Sequence, residues 1–97
     1  MRIIKKKTLI EFWSEYPDSE QALRQWYNDM KNSSYRNFND IKQKYSSADV
    51  IADNRVIFNI KGNKYRLIVK YHFNRQFGYI RFVGIHSQYD KINAETI

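Results

Sequence analysis

The 97 residues, 42% hydrophobic and 28% charged, suit one domain with a modest core and exclude both wholesale disorder and a second core. Lysine and arginine number 17 against 10 acidic residues, and a formal charge of +7 favours a polyanionic partner, nucleic acid first. Cysteine is absent, no run approaches the ~18 apolar residues of a membrane span, and the basic start Met1 to Lys7 lacks the apolar stretch of a signal peptide. A cytoplasmic protein without disulfides or thiolate metal sites is expected.

In chain order, Arg2 to Ile4 is β-prone and reads as an edge strand. Thr8-Leu9-Ile10-Glu11 fits a capping box, Leu9, Phe12, Trp13 and Tyr16 follow at helical spacing, and Pro17 ends that helix near Tyr16. Asp18 is a candidate cap for a second helix that carries Ala22, Leu23, Trp26, Tyr27 and Met30, ended by Asn32-Ser33-Ser34. Both helices are amphipathic and predict a hairpin laid over an apolar sheet face, with Trp13 and Trp26 in the core. A short third helix is expected between Tyr35 and Tyr45, capped by Asn37 or Asn39, then a brief strand Asp49-Val50-Ile51 and a turn at Asp53-Asn54.

Two β-hairpins follow. Gly62-Asn63 between Val56–Ile60 and Tyr65–Val69 is a tight-turn signal that pairs Phe58 with Leu67 and Asn59 with Arg66. A reversal at Asn74-Arg75 would pair Phe73 with Gln76, Lys70 with Tyr79, Val69 with Ile80, Ile68 with Arg81 and Leu67 with Phe82. Alternation then sorts the sheet into two faces. The core face would carry Val56, Phe58, Ile60, Leu67, Val69, Ile80 and Phe82. The other would carry Arg55, Asn59, Arg66, Lys70, Tyr79 and Arg81 around a thin strip of Ile57, Ile68 and Val83. The predicted class is α+β, with two N-terminal helices and a short third packed on one face of a mostly antiparallel sheet of about four strands.

After the last strand, a helical turn from His86 would project His86, Tyr89 and Asp90 together, with Lys91 adjoining. The tail Ile92 to Ile97 reads as too short and polar to add much. Metal catalysis has little support, since His72 and His86 are the only histidines and no carboxylates cluster with them. No phosphate-cradling glycine loop and no Gly-x-Ser-x-Gly occurs. What remains suits RNA cleavage without a metal or cofactor, because the ribose 2′-hydroxyl supplies the nucleophile and the protein needs only an acid, a base and cations. Arg66 and Arg81 could clamp the scissile phosphate, with Lys61 or Lys70 adding charge. His86 could transfer a proton near neutrality, Tyr89 could stack on a base or donate a proton, and Asp90 could orient either. Each has a plainer reading: solvated arginines, a C-terminal turn merely tied to the sheet, and His72 as exposed filler. On physics alone a basic RNA-binding module and a metal-free ribonuclease rank equally.

Asn54-Arg55-Val56-Ile57-Phe58-Asn59-Ile60-Lys61-Gly62-Asn63-Lys64-Tyr65-Arg66-Leu67, Tyr79-Ile80-Arg81-Phe82-Val83-Gly84 and His86-x-x-Tyr89-Asp90-Lys91 resemble the HigB family of bacterial toxins. Lys7-Thr8-Leu9, Phe12-Trp13, Pro17, Leu23-x-x-Trp26-Tyr27 and Ser47-Ala48-Asp49-Val50 agree, so the resemblance spans nearly the whole chain. It implies a RelE-like fold and a type II toxin, an endoribonuclease that cuts messenger RNA, typically on the translating ribosome, and is held inactive by a helix-turn-helix antitoxin of the HigA kind. It further implies that Lys61, Asn63, Arg66, Arg81, His86, Tyr89 and Asp90 lie at or near the active site. With Arg66, Arg81, His86, Tyr89 and Asp90 as the catalytic set, Lys61, Asn63, Lys70, Tyr79 and Lys91 are expected to bind RNA. Ile85 stands where the family's threonine is expected before the histidine. The alternative is a non-catalytic RNA-binding or repressor-partner protein of the same fold.

Overall fold

The computed structural model describes residues 1–97. Strand β1 (Arg2–Ile4) passes through Lys5, whose left-handed backbone (φ 71°) starts α1 (Lys6–Glu15) directly. The helix thus begins ahead of Thr8, whose amide donates to the Lys5 carbonyl at 3.0 Å, and the expected capping box does not form. Leu9, Phe12 and Trp13 supply its buried stripe, and it ends at Tyr16 as Pro17 requires. Pro17–Ser19 forms a single 3₁₀ turn before α2 (Glu20–Lys31), which buries Leu23, Trp26 and Met30. Asp18 does not cap α2. Its carboxylate accepts instead from Lys64 Nζ and the Tyr65 hydroxyl, an ammonium and a phenol displacing the weaker amide partner. Helix α3 (Phe38–Lys44) starts at Asn37, whose side chain accepts from the Asp40 amide at 3.0 Å.

Strands β2 (Asp49–Ile51), β3 (Arg55–Ile60), β4 (Tyr65–His72) and β5 (Phe77–Ile85) join β1 in one sheet of order β1-β5-β4-β3-β2. The sheet has five strands rather than about four, and β1 runs parallel to β5 while all other pairings are antiparallel. The first hairpin has the expected register, with Phe58 opposite Leu67 and Asn59 opposite Arg66. So does the start of the second, where Lys70 faces Tyr79 and Val69 faces Ile80.

Beyond Ile80 the register shifts. Ile68 faces Phe82, Leu67 faces Val83 and Arg66 faces Gly84, so the expected pairs Ile68–Arg81 and Leu67–Phe82 do not form. A bulge at Arg81 inserts one extra residue into β5, and no turn residue marks it in the sequence. Phe82 therefore lies on the face away from the helices, where its ring meets Tyr89, and Val83 packs against the core instead. Arg81 keeps its place on the outer face, beside Tyr79.

The helices and the inner sheet face enclose one apolar cluster that includes Leu9, Trp26, Phe58, Leu67 and Tyr71. Ile57 and Ile68 are buried but lie outside that cluster, because they point the other way. Cover for them comes from the chain after β5: α4 (His86–Tyr89) packs on β4 and β5, and the following tail brings Ile97 onto Arg55 and Arg81. The tail thus contributes to the fold, contrary to the sequence expectation.

Candidate active site

The outer face has two groups of functional side chains. The first centres on Arg66 near the start of β4, flanked by Asn59 on β3 and Gly84 on β5. A Cβ at Gly84 would stand 2.5 Å from Phe82 Cζ and 2.7 Å from Gln88 Oε1, so the missing side chain is what lets α4 fold back onto the sheet. That fold-back sets the Tyr89 ring over the Arg66 guanidinium at 4.5 Å, within cation–π range. Arg66 pairs with no carboxylate, and its Nε is buried without a hydrogen-bond partner.

His86 opens α4, and its Nε2 bonds to the Asn63 carbonyl. A carbonyl only accepts, so Nε2 carries the hydrogen and Nδ1 is the nitrogen left to exchange a proton. The turn that supplies this carbonyl is itself fixed. The Lys64 amide donates to the Lys61 carbonyl at 3.2 Å across Gly62-Asn63, and Asp18 holds Lys64, Tyr65 and, at 3.9 Å, Lys61. The Lys64 hydrogen bond first, then that from Tyr65, keeps the Asp18 carboxyl below the usual carboxylate range. A line of polar contacts therefore runs from the α1–α2 junction through the turn to His86.

Asp90 does not play its expected part. Its amide closes α4 on the His86 carbonyl at 2.9 Å, but its carboxylate is exposed and bonds to neither His86 nor Tyr89. Lys91 is likewise exposed beyond the turn. Ile85, at the cap of α4, has no side-chain acceptor, and one end of the helix is satisfied from the other direction by Gln88 Oε1 on the Ile85 amide at 3.0 Å.

The second group is Arg55, Lys70, Tyr79 and Arg81. Asp53 accepts from Arg55 Nη1 at 2.8 Å and Lys70 Nζ at 3.3 Å, and these bonds, Arg55's first, hold its carboxyl low. Arg81 stacks on Tyr79 at 4.9 Å, with Lys5 5.6 Å from the same ring. Arg81 Nε at 3.0 Å, Arg55 Nε at 3.0 Å and Arg55 Nη2 at 2.6 Å all donate to the main-chain oxygen of Ile97. Arg66 and Arg81 thus lie on one face, Arg66 stacked on Tyr89 and Arg81 stacked on Tyr79. The bulge sets Arg81 opposite the Ile68–Val69 step, whereas Arg66 lies opposite Gly84. Arg55 was legible as a cation of this face but not as Arg81's partner, because only the path of the tail brings the two together. His72 stacks on Phe77 at 4.6 Å at the far hairpin end, away from both groups.

Chemically, the face offers an uncompensated guanidinium held flat by an aromatic ring, an imidazole with one nitrogen open, a phenol, and several paired cations. These are tools for binding a phosphate and moving protons. No three His, Asp or Glu side chains stand close enough to hold a metal ion.

Comparison with known proteins gives the family. The profile of the HigB toxins, described as the RelE-like toxic component of a toxin-antitoxin system, matches residues 19–92, from the α1–α2 junction through α4. Similar proteins include the mRNA interferase toxin HigB of Escherichia coli strain K12 and the mRNA interferase HigB of Escherichia coli O157:H7 and of Shigella flexneri. Each is 28% identical over 96 residues, covering 97% of this chain and 92% of the relative. With helices on one face of the sheet and an open, cationic second face completed by α4, the chain belongs to the HigB family of RelE-like toxins.

Proposed function

We propose that this protein is an endoribonuclease that cuts messenger RNA, acts on the translating ribosome, and is neutralised by a helix-turn-helix antitoxin. The observation that carries the catalytic reading is Arg66: a guanidinium stacked on Tyr89, with no acidic partner and a buried Nε–H unpaired. An arginine used only for structure would be matched to a carboxylate or carbonyl. One left unmatched beside a mobile proton carrier suits a phosphate that gains charge during reaction.

In the proposed step the ribose 2′-hydroxyl loses its proton and attacks the adjacent phosphorus. The bond to the 5′-oxygen breaks and that oxygen takes a proton. The products are a 2′,3′-cyclic phosphate and a 5′-hydroxyl, and no metal ion is required. Arg66 stabilises the phosphate oxygens as the phosphorane forms. His86 exchanges a proton at Nδ1 while its Nε2–H keeps donating to the Asn63 carbonyl, and Tyr89 holds Arg66 flat and offers a face to a base. The names of the relatives, which describe mRNA interferases, support the same substrate.

Induced expression tests this reading. Wild type should arrest growth and fragment translated messages, an adjacent antitoxin gene should relieve the arrest, and an Arg66→Ala, His86→Ala double variant should be harmless. Equal harmlessness of both proteins, with messages intact, would contradict the proposal.

A further inference from the structure

One carboxylate tethers the turn between β3 and β4 from outside the sheet. Asp18 accepts from Lys64 Nζ and the Tyr65 hydroxyl and stands 3.9 Å from Lys61 Nζ, and neither lysine pairs with any other acid. The turn needs holding: Lys61 (φ 52°) and Gly62 (φ 68°) both take left-handed backbone, a conformation that a side chain such as lysine's disfavours. Asp18 is itself well placed. It lies in the 3₁₀ turn that Pro17 opens, next to Ser19, which is buried and donates its hydroxyl to the Tyr16 carbonyl at 2.7 Å. Tyr65 meets it with a ring 2% exposed and edge-on to Phe12 at 5.3 Å, so the phenol has little freedom to point elsewhere.

Both features that place His86 begin at the residues Asp18 grips. The Asn63 carbonyl, which takes the Nε2 hydrogen, lies between Lys61 and Lys64. Tyr65 faces Ile85 across the β4–β5 ladder, and Ile85 is the residue from which α4 and His86 start. Asp18 forms neither a hydrogen bond nor an ion pair with His86, so its influence on the imidazole passes through the turn. A carboxylate serving only as a solvated partner for surface lysines would not also take the hydroxyl of a buried tyrosine.

We infer that Asp18 is a positioning residue for RNA cleavage: it holds the Lys61–Lys64 turn so that the Asn63 carbonyl keeps His86 in the tautomer with Nδ1 open. The inference rests on the RNA-cleaving reading above and adds to it a residue that touches no reacting atom.

Asp18→Asn and Tyr65→Phe test it, the second because it removes one bond of the tether without changing charge. The first readout is the ¹⁵N NMR signature of His86 in free protein at about pH 8.5, where imidazole is neutral. Wild type should show the Nε2–H tautomer alone and both variants a mixture of the two. The second is message cleavage on translating ribosomes, measured in wild-type and His86→Ala backgrounds. In the first background kcat should fall about ten-fold for Asp18→Asn and about three-fold for Tyr65→Phe, part of the roughly 10²–10⁴-fold that a positioned proton carrier supplies. KM should stay level or drop, since neither substitution removes a cation. In the His86→Ala background neither should slow the residual reaction further, because residues acting as a unit are not additive. If Asp18→Asn fails to fold, Tyr65→Phe decides, and if His86→Ala leaves no measurable cleavage, the tautomer decides. A mixed tautomer in wild type, a single one kept in the variants, or losses that add fully to that of His86→Ala overturn the positioning role while leaving cleavage intact. Wild type that cleaves nothing overturns both readings.

Discussion

Arg66 and Tyr89 act as a pair. The ring both orients the guanidinium and shields its Nε, so the two residues should be read together in mutation. Replacing Arg66 by Gln removes a positioned cationic donor, and cleavage should fall by about 10²–10³-fold, the cost of losing one such donor at a charge-developing centre. Thermal stability should change little, since the guanidinium bonds to no protein group. At Tyr89, Phe keeps the stacking surface and Leu does not. A half-exposed cation–π contact is worth roughly 0.5–1 kcal/mol, so Tyr89→Leu should cleave about two- to five-fold more slowly than Tyr89→Phe in a single-turnover assay. Strand alternation and the three-residue step from His86 to Tyr89 made these residues legible in the sequence. The partnership of Arg55 with Arg81 was not, because it depends on where a polar tail comes to rest.

Helices and hairpins were legible where periodicity or a turn residue marked them. Leu9, Phe12 and Trp13 are buried as their spacing implies, and Gly62-Asn63 and Asn74-Arg75 both close their hairpins. The misread points are those set by tertiary competition: Thr8 lies inside a helix started by Lys5, Asp18 turns to Lys64 and Tyr65, and the bulge at Arg81 has no local marker. Two consequences are testable at this scale. Gly84→Ala would force Phe82 and Gln88 aside and loosen α4 from the sheet. We expect a larger loss in cleavage than in thermal stability, measured side by side. The carboxyls of Asp18, Asp40 and Asp53 are all held low, chiefly by hydrogen bonds from Lys64, Arg36 and Arg55 respectively. A carboxyl lowered by folding adds stability above its unfolded value, about pH 4, and that stability is lost as pH falls through the folded value. The urea midpoint should therefore decline as pH falls from about 4, and Asp18→Asn should make the decline shallower.

Taken whole, the molecule separates its tasks by face. Helices cover one side of the sheet, and the central strands β4 and β5 present arginines on the other, with α4 and the tail folded over a narrow apolar strip. With a formal charge of +7 over the chain, binding to RNA should weaken steeply with salt. No helix is long and apolar enough to cross a membrane. The proposed reaction makes one chemical demand, that a strand be cut by its own 2′-hydroxyl. The decisive measurement is the end chemistry of a message cleaved by purified protein with translating ribosomes in the presence of a metal chelator that spares ribosomal magnesium. Fragments ending in 2′,3′-cyclic phosphate and beginning with 5′-hydroxyl, absent with Arg66→Gln, are the predicted result. Fragments beginning with 5′-phosphate, or undiminished cleavage by that variant, would contradict it.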